Sequence, residues 1–84
     1  MKLWWLSFVD SAKPEGQQHL GCVITDGDMS FTQAVVTCMI KRCNPGGEVM
    51  GVEINPAPQE YIDAPRYSLL SKEALKRLGL IHEP

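Results

Sequence analysis

The chain has 84 residues, of which 44% are apolar, and carries a formal net charge of -2 with an isoelectric point near 5.5. This length predicts a single domain over residues 1–84, and the apolar content is typical of a folded protein. The weak acidity argues against a general nucleic-acid binder, because such proteins normally present a basic face to the phosphate backbone.

No segment reaches the roughly 20 apolar residues of a membrane span, and the N-terminus lacks the small-residue cleavage site of a signal peptide. We therefore expect a cytoplasmic protein with no membrane contact. The three cysteines, Cys22, Cys38 and Cys43, are odd in number and form no CxxC pair. They are expected to be buried thiols, with no metal site and no cofactor.

The first predicted strand covers Lys2 to Asp10 and is apolar on both faces. Alternation places Trp4, Leu6 and Phe8 on one face and Leu3, Trp5 and Val9 on the other. A strand of this kind is covered on both sides. We expect a helix on one side and a second subunit on the other.

A second strand is predicted from His19 to Thr25, with Leu20, Cys22 and Ile24 on one face. The polar segment 11–18 before it contains Pro14-Glu15-Gly16, which is typical of a turn. This connection is too short for a helical crossover, so the two strands are expected to pair antiparallel.

The main helix begins at Ser30, because Ser30 and Gln33 match a capping box. Its apolar positions cover more than the usual face, which predicts burial on a second side by a symmetry mate. The apolar residues at helical spacing are Phe31, Ala34, Val35, Cys38 and Met39. Three more apolar residues widen this face: Val36, Ile40 and Cys43.

Glu48 to Ile54 is the third predicted strand. Gly21 and Gly51 lie inside strands, where a glycine often marks a close backbone approach, a bulge or an aromatic ring that lies across the sheet. Trp4 and Trp5 are the expected rings, and a ligand base could occupy the same space. Segment 55–65 contains three prolines and is predicted to be extended coil. Ser71 then caps a short helix over Lys72 to Leu78, which Gly79 ends. The order is ββαβ with a C-terminal helix, an α+β fold with a small antiparallel sheet.

Candidate binding residues occur at two places. Asn44, Gly46 and Gly47 follow the main helix, where the negative end of the helix dipole disfavours phosphate. The favoured interpretation is therefore that these residues end the helix and form a turn. The alternative is that they contact a sugar or the edge of a base. Arg66 could bind phosphate with its planar guanidinium, and Tyr67 could stack on a base. The alternative is that Arg66 is an ordinary surface residue and Tyr67 packs against the fold.

Catalytic signatures are missing from the sequence. No Ser/His/Asp spacing, nucleophile elbow or HExxH motif is present. Glu48 and Glu53 are five residues apart and so lie on opposite faces of a regular strand, which disfavours a paired-carboxylate mechanism. No catalytic residue is predicted.

The stretches WWLSF, NPGGEVMGVEI and RYSLLSKEAL together resemble a family of small, mostly uncharacterised proteins of phages and actinobacterial genomes. The resemblance covers most of the chain and carries no established catalytic residue. It implies a protein of the host cell cytosol. By analogy with other small phage proteins, it implies an anti-defence role in which a nucleotide immune signal is sequestered at subunit boundaries.

The resulting hypothesis is a homo-oligomer, a dimer or higher, that binds a cyclic dinucleotide or ADP-ribose-type ligand without cleaving it. Trp4 or Trp5 and Tyr67 would stack on a base, and Arg66, or less favourably Arg42, would meet phosphate. The alternatives are a module that binds a host protein through an apolar helix face or a strand edge, and a nucleotide-degrading enzyme that uses Glu48 or Glu53.

Overall fold

The computed structural model describes residues 2–80, which form three strands and three helices. In chain order these are β1 (Leu3–Val9), β2 (His19–Asp26), α1 (Phe31–Ile40), β3 (Glu48–Ile54), α2 (Gln59–Asp63) and α3 (Lys72–Arg77). The strands form one antiparallel sheet in the order β2-β1-β3. The predicted α+β class, with ββαβ order and a C-terminal helix, is confirmed.

The two faces of β1 are covered by different parts of the same chain. Leu6 and Phe8 pack under α1, whereas Leu3 packs under residues 55–80, here called the C-terminal arm. The expectation that a second subunit covers this second face was wrong, because the arm supplies its own apolar side chains. The buried arm residues are Ala64, Leu70, Leu75 and Leu80.

A bulge in β2 separates Leu20 from its predicted neighbours. Phe8 pairs with Gly21 and Val9 pairs with His19, so Leu20 is an extra residue in the ladder. Leu20 packs on the α1 side, whereas Cys22 and Ile24 face the arm. The shared face predicted for these three residues was wrong because the bulge shifts the alternation by one.

The predicted helix starts are confirmed. Ser30 Oγ accepts the Gln33 amide at 3.1 Å, and the Gln33 side chain accepts the Ser30 amide at 2.8 Å. Ser71 caps α3 in the same manner by accepting from Ala74. At the end of α3 the Leu80 amide donates to Leu75 at 2.9 Å, and Gly79 has a left-handed φ of +73°.

The end of α1 differs from the sequence interpretation. Arg42 has a left-handed φ of +60°, the Cys43 amide donates to Cys38 and the Arg42 amide donates to Met39. These two bonds are those of a Schellman motif with Arg42 at the left-handed position after the cap residue Lys41, so the helix ends before the glycines. Gly46 and Gly47 belong to the turn that delivers β3.

Two further expectations are corrected. Within segment 55–65, residues Gln59–Asp63 form a short helix after Pro58, whose fixed φ suits a helix start. Gly51 does mark a close approach, but the ring against it belongs to Phe31 of α1. Gly21 is likewise tight, beside Leu69 and the Leu70 carbonyl.

All three cysteines are buried and free, as predicted. Burial raises the pKa of the Cys22 and Cys38 thiols above their ordinary value of 9.0. The thiolate is the reactive form, so these thiols are both shielded and protonated at neutral pH.

We expect the native thiols to react with iodoacetamide at pH 8 more than about a hundredfold slower than in the unfolded chain, because exposing them costs several kcal/mol. The Ile40→Cys variant is the control, since residue 40 is 75% exposed and its thiol should react at the ordinary rate. The raised pKa values also predict that the free energy of unfolding falls as the pH rises above 9, because the unfolded thiols lose their protons at a lower pH than the buried ones. Equal native and unfolded rates would contradict the burial of these thiols.

Candidate ligand cleft at the Asn44–Gly47 turn

The turn between α1 and β3 is shaped by Asn44. The Asn44 side-chain oxygen accepts the Gly46 amide at 2.7 Å, which is an Asx turn. Gly46 and Gly47 follow with left-handed φ values of +89° and +74°. At Gly47 a side chain would meet the Val9 carbonyl, so the turn lies tightly against the end of β1.

An open cleft of about 520 Å³ lies between this turn, α1 and the sheet; we call it the loop cleft. Its polar rim consists of Asn44, Gly46 and Gly47. Its apolar walls are formed by Phe8, Val35, Met39 and Val49. Apolar walls with a few fixed polar groups are typical of small-molecule sites.

One cation near the loop cleft is free of protein partners. Arg42 lies two residues before Asn44 and is exposed, and its side chain has no hydrogen bond or ion pair within residues 2–80. The neighbouring Lys41 places its ammonium 4.8 Å from the centre of the Tyr67 ring. Arg42 is therefore the basic side chain of this region that can meet an anion without breaking a contact.

Arg66 and Tyr67 fasten the arm to the end of β2. Arg66 Nη1 donates to the carbonyls of Tyr61 and Ala64 at 3.1 and 2.6 Å, and Arg66 Nε lies 3.5 Å from an Asp26 carboxylate oxygen. The Tyr67 hydroxyl lies 2.9 and 3.0 Å from the carbonyl and a carboxylate oxygen of Asp26.

Burial and the bond to Asp26 raise the pKa of Tyr67, which keeps its hydroxyl a donor. The Arg66 guanidinium thus contacts oxygens of the protein itself, and does not present its N–H groups to a phosphate as the predicted binding role requires.

Trp4 and Trp5 lie on opposite faces of the sheet, as predicted. The Trp4 indole donates to the Met29 carbonyl at 2.7 Å, and its ring contacts Phe31 at 5.9 Å between centroids. Trp5 meets Tyr61 edge to face at 5.6 Å. The two rings cannot enclose one base together.

A second open cleft, of about 490 Å³, lies beside Trp5; we call it the Trp5 cleft. It is lined by Trp5, Val52, Ile54, Pro58, Tyr61 and Leu80. The sequence singled out Trp5 alone among these. Tyr61 was missed because it lies in the segment predicted to be coil.

The predicted site residues therefore separate into distinct places. Asn44, Gly46 and Gly47 share the loop cleft with Arg42 close by in the chain, whereas Trp4, Trp5 and the Arg66–Tyr67 pair lie elsewhere. Sequence reasoning missed the apolar walls, although Val35 and Met39 are four residues apart on α1 and so share its face.

The carboxylates considered for catalysis remain apart. Glu48 accepts from the Ser11 hydroxyl at 2.7 Å, and Glu53 lies 3.7 Å from the Lys2 ammonium. Within residues 2–80 no group of three His, Cys, Asp or Glu side chains is arranged to hold a metal ion. In the same part of the chain, no helix combines the length and apolar character needed to cross a bilayer.

Comparison of the chain with family models, curated proteins and solved structures found no match.

Proposed function

We propose that this protein binds and sequesters a small nucleotide-type ligand in the loop cleft, as a homo-oligomer and without catalysis. The observation that carries the proposal is one open cleft with apolar walls and the Asn44 amide at its rim, which the exposed Arg42 precedes by two residues in the chain. An apolar cleft with an amide at its rim, and a basic residue close to it in the chain, suits a ligand that joins a flat ring to an anion.

Each part of the ligand has a matching part of the cleft. The base lies against Met39 and Val49, and the Asn44 amide nitrogen and the turn backbone meet the base edge or sugar hydroxyls. Phosphate is held by Arg42, since the carbonyl end of α1 disfavours an anion at the helix terminus itself. Arg66 and Tyr67 keep the arm in place and do not contact the ligand.

The ligand class comes from the resemblance of WWLSF and NPGGEV to phage proteins, which suggests cyclic dinucleotides and ADP-ribose derivatives as the first candidates. A ligand at a hundredfold excess over its Kd stabilises the fold by about 2.7 kcal/mol. For a domain of this size that corresponds to a rise in Tm of more than about 10 °C. Thermal shift across a panel of these nucleotides tests the proposal, and recovery of the intact ligand after heating tests the lack of turnover.

Two variants locate the site. Asn44→Asp keeps the oxygen that accepts the Gly46 amide, but replaces the amide donor with a negative charge, and Arg42→Gln removes the cation. Each should weaken binding by tenfold or more, about 1.4 kcal/mol, as measured by calorimetry. Gln17→Glu and Arg77→Gln make the same charge changes outside the loop cleft and should leave the affinity unchanged. Equal losses in all four variants would count against this cleft.

A protein-binding module is the second candidate function. Val36 and Ile40 lie on the outer side of α1 and are 46% and 75% exposed, which is high for apolar residues of a small domain. Such a module would show no shift in Tm with any nucleotide of the panel and would retain a host protein in a pull-down. An Ile40→Lys variant would then lose that partner.

A further inference from the structure

The two edge strands of the sheet differ in whether another segment of the chain covers their outer edge. The outer edge of β2 is bulged and is covered by the arm, because Cys22 and Leu70 exchange backbone hydrogen bonds of 3.0 and 2.8 Å and the Tyr67 amide donates to Ile24 at 3.0 Å. The outer edge of β3 has no partner strand within residues 2–80. One edge is thus protected and the other is open.

β3 lacks most of the features that protect an open edge, and its charged residues are the two glutamates Glu48 and Glu53. Proteins interrupt such strands with lysine, proline or bulges. Glu48–Ile54 contains neither residue, and its register with β1 is unbroken over all seven positions. On the face that carries the arm, Met50 and Val52 are 69% and 59% exposed. The edge is therefore regular and, apart from Glu48 and Glu53, apolar, so it is ready to pair.

We infer that the occupant of this edge is a second copy of the chain, paired antiparallel to β3 with the twofold axis through Gly51. A twofold axis between antiparallel strands runs perpendicular to the sheet, so directly opposed residues share a face. The axis at Gly51 pairs the whole strand and sets Met50 opposite Val52 of the other copy, twice. Four exposed apolar side chains then cover one another.

Charge and the number of paired residues together select this register among the possible ones. With the axis at Gly51, Glu48 lies opposite Ile54 and Glu53 lies opposite Val49, so no carboxylate faces another. An axis at Glu48 or Glu53 would place like charges directly opposite, which is destabilising. An axis at Met50 or Val52 would pair only five of the seven strand residues. The strand is self-complementary only about its centre, which identifies a second copy rather than an unrelated strand.

The dimer places both clefts at its interface. Val49 lines the loop cleft, and Val52 and Ile54 line the Trp5 cleft, on opposite faces of β3. Glu53 of the second copy lies opposite Val49 and adds a carboxylate acceptor at the open side of the loop cleft. The dimer does not depend on the proposed ligand. The experiments that test dimer formation are therefore separate from those that test nucleotide binding, and one can fail without the other.

Molar mass by light scattering gives the first test. At micromolar concentration the wild-type chain should have twice the 9.3 kDa of one chain. Val52→Lys puts a charge beside the axis and should halve the mass while the circular dichroism spectrum stays that of a folded protein. Ile40→Lys makes the same change on α1 and should leave the dimer intact. A monomeric wild type, or a dimer lost through Ile40→Lys instead, would overturn the inference.

Cysteine pairing tests the register and does not rely on a destabilising variant. Directly opposed Cα atoms are about 4.5–5.5 Å apart, within disulfide reach, whereas diagonal neighbours are about 7–8 Å apart. A mixture of Met50→Cys and Val52→Cys chains should give an oxidised dimer on a non-reducing gel. Each variant alone should not, and the wild type controls for the native thiols. Cross-linking of one variant with itself, or none in the mixture, would refute the Gly51 axis.

Discussion

Phe8→Ala should lower the free energy of unfolding by about 3–5 kcal/mol. Phe8 is fully buried in the central strand, where it packs with Leu6, Val23, Ala34 and Cys38. Its removal loses the transfer free energy of the ring and leaves a cavity that the sheet and α1 cannot close. Domains of this kind have total stabilities of about 5–15 kcal/mol, so the variant would be close to unfolded.

Urea denaturation followed by circular dichroism, at one protein concentration throughout, measures this loss. Val36→Ala is the control, since Val36 lies on the exposed side of α1, and it should change the stability by less than about 0.5 kcal/mol. A loss below about 1 kcal/mol for Phe8→Ala would mean that the ring does not form the centre of the α1-side core.

Gly47→Ala should lower the free energy of unfolding by about 3 kcal/mol, for two separate reasons. The left-handed φ of +74° costs about 1–2 kcal/mol with any side chain. The new methyl group would also collide with the Val9 carbonyl. That carbonyl belongs to β1, which is paired on both sides, so it cannot move away, and overpacking of this kind costs a further 1–3 kcal/mol.

Gly46→Ala separates the two contributions. Gly46 has a similar φ of +89°, but open space surrounds the position of its added methyl group. Only the backbone contribution applies, so the loss should be about 1–2 kcal/mol. Thermal and urea unfolding of the two variants should therefore differ by the cost of the collision. Equal losses would contradict the tight contact between the turn and β1.

Features that depend on neighbouring residues were predicted well from the sequence. The capping box at Ser30, the cap at Ser71 and the glycine stop at Gly79 each need only a few consecutive residues, and all three are confirmed. The bounds of β3 are also confirmed, because a turn precedes its alternating residues and a proline-rich segment follows them. These signals are local, so they hold whatever the rest of the chain does.

Features that depend on contacts distant in the sequence were predicted poorly. The arm covers the second face of β1, a role that apolar periodicity had assigned to a second subunit. Phe31, not a tryptophan, lies across Gly51, and the bulge turns Leu20 to the α1 side. The predicted ligand residues were dispersed for the same reason, since the oxygens that meet Arg66 are carbonyls and a carboxylate that no motif marks.

By itself the sequence determined the order of the three strands, the main helix and the C-terminal helix, the helix caps, the two-sided apolar character of β1 and the buried state of the cysteines. Each of these follows from composition or from residues within one turn or strand. Only the tertiary structure decided that the arm covers the outer edge of β2, while β3 has no partner strand on its outer edge within residues 2–80. It alone brought Asn44, Gly46 and Gly47 against Val35, Met39 and Val49. Such placements result from packing between distant segments, where shape and hydrogen-bond geometry select one arrangement among many with the same pattern.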